Sequence, residues 1–229
     1  TPETIRTLQR KLYRKAKQEP AYRFYALYDK IHRADILSHA YHLVRANKGS
    51  AGIDGVTFEA IENGEGVTAF LAELQEALKS KTYAPNPVKR VMIPKGDGTE
   101  RPLGIPTIRD RVAQMAVKLV IEPIFEADFI DTSYGFRPKK SAHDAIEDIS
   151  YALNCGYTEV IDADVSKYFD TIPHAKLMAV VADRIVDSAI LHIIQMWLKA
   201  PVMEVDKDGT KRNIGGGKWV DVLMGGLNH

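Results

Sequence analysis

Apolar positions recur at helical spacing through the first part of the chain. Ile5, Leu8, Leu12 and Ala16 predict a helix over about 1–17, and Pro20 interrupts it. Ile36, Leu37, Ala40, Tyr41 and Val44 line one face of a second helix, expected from about Tyr22 to Ala46 and closed by Asn47 and Gly49. A third covers roughly 67–79, after a loop from Gly49 to Gly55 that reads as flexible. The period then changes. Val88–Ile93 is β-rich, Gly96-Asp97-Gly98-Thr99 supplies a turn and 101–105 returns, which predicts a hairpin. Helical spacing resumes from about Ile108 to Phe125, with Val112, Met115, Ala116, Leu119 and Val120 inward. Ser141 and Asp144 form a capping box for a helix ending at Gly156. The short apolar run 158–165 predicts a buried strand. Pro173 opens a further helix, Asp187–Ala200 forms another, and 202–205 can pair with 210–214. Helices with few strands, lacking regular βαβ alternation, predict an α+β fold.

Composition adds little to this, but charge placement adds more. The 229 residues are 45% hydrophobic and 27% charged, ordinary for a globular protein. A single cysteine, Cys155, excludes an internal disulfide framework and cysteine-based zinc clusters. No apolar run approaches the length that spans a bilayer and no secretory signal is visible, so a cytoplasmic protein with no membrane partner is expected. Thr1 suggests a start further upstream. The net charge of +1 hides an asymmetry. Residues 1–48 hold eleven Lys/Arg against four Asp/Glu, and residues 86–118 hold seven against three. The remainder is acidic. Basic segments beside an acidic one point to a polyanion together with a metal site, although long basic helices also occur as merely solvated faces.

The acidic run carries the sharpest candidate. Val160-Ile161-Asp162-Ala163-Asp164-Val165 would deliver carboxylates to a strand end, followed by Tyr168-Phe169-Asp170. A buried acid with a neighbouring backbone carbonyl can form part of a Mg²⁺ shell, with phosphates and water completing it. Read as structure alone, the same acids are a solvated strand end and a helix cap. Lys95 and Arg101 flank the hairpin turn and could share one anion, such as a triphosphate. The bland alternative is an exposed charged tip. Tyr134-Gly135-Phe136-Arg137-Pro138-Lys139-Lys140 interleaves aromatics with cations, as single-stranded nucleic acid grips require, or else anchors a loop. His143 and His174 read as structural.

Several runs together resemble one family. Asn47 to Val56, Val91-Met92-Ile93-Pro94-Lys95, Arg101 to Thr107, Tyr134 to Pro138, Ser141 to Ala145 and Asp164 to Asp170 are similar, in order, to the blocks of bacterial group II intron reverse transcriptase/maturases. The resemblance implies a right-hand polymerase fold: helical fingers with a β-hairpin, and an incomplete antiparallel palm sheet. It implies a basic extension and fingers over 1–108, the first part of the palm over 109–172, and helices with a divergent tail over 173–229, with no thumb. Asp164 maps to the first catalytic, metal-binding aspartate, beside the Val165 carbonyl, with Asp162 only a neighbour. Phe169 falls where the family keeps an aromatic under the incoming sugar. Lys95 and Arg101 fall where the hairpin grips the triphosphate. Arg10, Lys11, Arg14, Lys15, Lys48, Arg137, Lys139 and Lys140 are the implied nucleic-acid contacts.

The family's Pro-Gln-Gly block and its Tyr-Ala-Asp-Asp turn have no counterpart after Gly215-Gly216-Gly217. The resemblance therefore implies Mg²⁺ but only part of its site. It implies an RNA-directed DNA polymerase by family that is inactive alone, with RNA template or intron RNA, DNA primer and dNTP as partners. A non-catalytic, maturase-type RNA-binding module is the alternative. An open palm edge would pair with a second copy or with a complementing C-terminal fragment.

Overall fold

The computed structural model describes residues 1–216 except Lys95, Asp97, Ser166, Lys167 and Lys207; for Phe169 and Asp170 it describes the backbone only. The centre of the molecule is the helix Ile108–Glu126 (α6, counting from the N-terminus), which is buried along most of its length. Two earlier helices pack directly on it, α1 (Glu3–Gln18) and α3 (Ala34–Ala46), joined there by the short α2 (Tyr28–Ile31), while α5 (Gly66–Lys79) packs on α3 and on the short α4 (Phe58–Asn63). α1 turns Ile5, Leu12 and Ala16 inward, and α3 turns Ile36, Leu37, Ala40, Tyr41 and Val44 inward. These are the apolar stripes of the sequence.

α6 continues through an internal proline, and the reason is local. Pro123 has no N–H to donate to the carbonyl of Leu119 one turn back. Gln9 of α1 donates its side-chain amide to that carbonyl at 3.0 Å. A packed neighbour thus replaces the missing helix bond. Lys17 likewise reaches the Ala127 carbonyl at the end of α6, at 3.0 Å.

The strands β1 (Val88–Pro94), β2 (Glu100–Ile105), β3 (Pro201–Val205) and β4 (Lys211–Gly216) form one sheet in the order β2-β1-β3-β4. β1 and β2 are the expected hairpin, with Ile93 opposite Arg101. β3 and β4 pair antiparallel, as expected, while β1 and β3 pair parallel through Val88 and Val202. After the hairpin come α7 (Ala142–Asn154), α8 (Tyr168–Thr171), α9 (His174–Arg184) and α10 (Ser188–Leu198). The α+β class stands.

Two expectations need correction. Residues 22–27 are not helical. Phe24 instead forms a β-bridge to Ile185, and one carboxylate oxygen of Asp187 accepts the amides of Leu27 at 2.7 Å and Tyr28 at 2.8 Å. Its other oxygen caps α10 through Ala189 and Ile190. The second correction concerns 158–165, which form no strand. Val160, Ile161 and Val165 are 74%, 95% and 62% exposed. A strand needs a neighbour to accept its backbone bonds, and among the described residues none pairs with this segment. α7 shares the condition: its capping box forms as expected, yet no residue of it is buried and Ile146, Ile149 and Leu153 face outward.

The loop from Gly49 to Gly55 packs tightly at its centre. A Cβ on Gly52 would lie 2.7 Å from the Thr107 Cα and 2.8 Å from its nitrogen. Backbone cannot yield as a side chain does, so Gly52→Ala should cost about 1–3 kcal/mol in urea denaturation. Gly96→Ala, where nothing lies within 4 Å of the added carbon, should stay within about 0.5 kcal/mol. Equal effects at both positions would contradict the packing argument.

Candidate functional site

Arg101 is the second residue of β2, beside the tip of the hairpin, and its side chain is exposed. Lys95, its expected partner across the turn, lies outside the described residues, and so does the Phe169 side chain. The base of the hairpin is held by buried polar groups. Asp110, in the first turn of α6, is 1% exposed. Its carboxylate accepts the Tyr83 hydroxyl at 2.7 Å, the Thr107 hydroxyl at 2.7 Å and the Asn86 amide at 3.0 Å. The Tyr83 oxygen in turn accepts the Trp197 indole N–H at 2.9 Å. Burial pushes the Asp110 carboxyl upward, and these hydrogen bonds pull against it. Burial beside Asp110 also drives the Tyr83 phenol well up.

Asp164 and the Val165 backbone lie in the extended segment before α8. Asp164 is exposed, not buried as expected, because the strand that would have enclosed it does not form. The fit to Mg²⁺ is therefore partial. An exposed carboxylate with an adjacent carbonyl offers at most three hard oxygens, against the six an octahedral ion takes. No cluster of three or more metal-ligating side chains occurs among the described residues.

The expected nucleic-acid contacts divide into two groups. Arg10, Lys11 and Arg14 are exposed on α1. Their side of the helix is free because the opposite side is buried. Arg10 reaches Glu3 at 3.3 Å, both side chains being well exposed, which holds it only weakly. Lys48 is exposed in the turn after α3, and Lys139 is exposed in the loop before α7. Three others have structural work. Lys15 pairs with Glu19 at 2.6 Å and lies over the Tyr22 ring. Lys140 donates to the Asp131 carbonyl at 2.9 Å and lies over the Tyr134 ring. Arg137 is the clearest case: its guanidinium forks onto Glu126 and donates to the carbonyls of Ile130 and Ser133. Its side chain is 6% exposed, so it acts as a latch within its own loop. In the same loop Phe136 stays 60% exposed, while Tyr134 hydrogen-bonds Asp148 of α7, a bond that pushes its phenol up to about 12.

Sequence reasoning missed Asp110, Arg111, Arg184 and Asp187. Thr107 and Asp110 at capping spacing, and Asp187 just before a helix, were local signals for two of them. Arg111, which donates to the Ser50 carbonyl at 2.6 Å, and Arg184 gave none.

A hairpin with an exposed arginine near its tip, a row of exposed cations on α1 and an open carboxylate are parts that a nucleotide-polymerising protein uses. The family comparison agrees. The model of the family described as "Reverse transcriptase (RNA-dependent DNA polymerase)" matches residues 93–217, more than half of the chain, and the chain belongs to that family. Its relatives narrow the resemblance. It is 35% identical over 189 residues to the "Group II intron-encoded protein LtrA" of Lactococcus lactis subsp. cremoris, covering 79% of this chain and 30% of that protein. It is 39% identical over 207 residues to "Protein YkfC" of Escherichia coli (strain K12), covering 88% of this chain and 54% of that protein. The resemblance to group II intron reverse transcriptases drawn from the motif blocks is thus borne out, and with it the α+β polymerase class. The chain spans about half of the one relative and under a third of the other. A solved structure described as "Partial Cas6-RT-Cas1--Cas2 complex" aligns with TM-score 0.49 and 20% identity, over 86% of this chain and 33% of that one. No described helix is long and apolar enough to cross a membrane.

Proposed function

We propose that this chain is the RNA- and nucleotide-handling part of a group II intron-type RNA-directed DNA polymerase. The observation that carries the reading is the family match, which runs from the fingers hairpin through Asp164 to β4. In this reading residues 1–108 are the basic extension and fingers, 109–172 begin the palm, and 173–229 return to fingers and palm. Arg101, with Lys95, holds the triphosphate. Phe169 lies beneath the sugar. Asp164 and the Val165 carbonyl would hold Mg²⁺, which supplies Lewis-acid charge neutralisation at the phosphates. Arg10, Lys11, Arg14, Lys48 and Lys139 meet the RNA backbone. The outward apolar residues of α7 and of 160–165 form a face that a second copy, or a fragment completing the palm, would cover.

The exposed cation row of α1 also favours a second reading, an RNA-binding module that assists splicing without catalysis. Both readings require polyanion binding, and filter binding to structured RNA tests it. The logarithm of affinity should fall linearly with that of salt, by about 0.7–0.9 per phosphate neutralised. The triple substitution R10E/K11E/R14E should weaken binding by about 100-fold near 0.1 M salt and flatten the slope by two to three such increments. Binding that ignores both salt and the triple substitution would remove the RNA-handling reading.

A further inference from the structure

The carboxylate of Asp110 stands where β1 leaves the helical core and β2 returns to it. Asn86, whose amide it accepts, lies two residues before β1. Thr107, whose hydroxyl it accepts, lies two residues after β2. Tyr83, its third donor, is bonded by Trp197 of α10, the helix that leads into β3. Arg109 closes the cluster from outside, stacked over the Tyr83 ring and donating to the Ala84 carbonyl at 3.3 Å. The carboxylate is 1% exposed and is satisfied by two side-chain hydroxyls and one backbone amide.

We infer that Asp110 is a positioning residue for the hairpin tip, fixing where Arg101 meets a nucleotide triphosphate. The inference rests on the triphosphate reading of Arg101 given above. Leverage supplies the physical reason. β1 runs seven residues from Val88 to Pro94, about 20 Å at roughly 3.3 Å per residue. A tilt of about 3° at its root therefore moves the tip by about 1 Å, and displacements of that size at a reacting or binding group cost up to about 100-fold. A carboxylate with three fixed donors resists such a tilt. An amide in its place offers one accepting oxygen and sets N–H against the remaining donors.

The test measures affinity of the 229-residue chain for a fluorescent dATP analogue with Mg²⁺, alongside amide exchange. Asp110→Asn should weaken binding about tenfold, and Tyr83→Phe, the milder change should Asp110→Asn fail to fold, about threefold. Exchange should quicken across 88–105 while α1 and α3 keep their protection. Arg101→Ala serves as the reference for the site. If Arg101→Ala weakens binding and the substitution at Asp110 or Tyr83 does not, the positioning role is overturned. Exchange that rises evenly through α1 and α3 as well also overturns it, since that marks a general loss of stability. If Arg101→Ala has no effect, the triphosphate reading fails first and the inference falls with it.

Discussion

Replacing Arg184 by alanine should lower stability by about 2–4 kcal/mol without abolishing the fold. The Arg184 side chain is buried at the end of α9, and its guanidinium gathers the carbonyls that close α1. It donates to Ala16 at 2.9 Å, to Pro20, to Tyr22 at 3.3 Å and to Glu19 at 3.5 Å, and it pairs with Asp128 at 2.9 Å. The last carbonyls of a helix have no partner within it, so a fixed cation there supplies both hydrogen bonds and charge complementarity. The adjacent backbone ties the same two regions, with Phe24 donating to the Arg184 carbonyl and Val186 to the Phe24 carbonyl, each at 2.8 Å. Truncation strips the buried Ala16 carbonyl of this donor, and with it the more accessible Pro20 and Tyr22 carbonyls. Asp128 is exposed enough for water to take over its charge, so the expected loss is about 2–4 kcal/mol, against a total of about 5–15 kcal/mol for a domain. Arg184→Lys should not restore stability, because one ammonium cannot span the fork. Urea denaturation with equal midpoints for the wild type and Arg184→Ala would show that the clamp contributes nothing.

What the sequence made legible was whatever depends on near neighbours. α1, α5, α6 and the first hairpin follow from spacing and turn residues that act within a few positions. Even Pro123, which should have broken α6, needed only one distant side chain, Gln9, to be tolerated. α4 could have been found, since Thr57 caps it through the Ala60 amide at 3.1 Å and Phe58 and Ile61 share a face. Residues 22–27 read as helix because their partners, Ile185 and Asp187, lie about 160 positions away. The run 158–165 was over-read for a related reason. Apolar β-rich composition states that a segment needs a neighbour, not that it has one. The candidate site shows the same division. An exposed Arg101 at a hairpin tip follows from turn chemistry. That Arg137 is occupied with Glu126 and two carbonyls, and that Asp110 ties together both ends of the hairpin, follows only from tertiary contacts.

In the proposed function Asp164 is the one carboxylate assigned to catalysis, and no Tyr-Ala-Asp-Asp run occurs in the 229 residues. Two-ion phosphoryl transfer needs carboxylates that bridge both ions, and each Mg²⁺ takes six oxygens at about 2.1 Å. Asp164 and the Val165 carbonyl offer at most three. Loss of preorganised charge on this scale costs at least about a thousandfold in rate, so turnover should fall below about 0.01 s⁻¹, against the roughly 10 s⁻¹ of an ordinary enzyme. The deciding measurement is primer extension on an RNA template by the purified chain, with dNTPs and Mg²⁺, beside Asp164→Ala. No product above the unextended primer from either protein, with RNA still bound by both, is the predicted result. Extended product from the wild type that vanishes in Asp164→Ala would contradict the account, because it would show a complete catalytic centre within these residues.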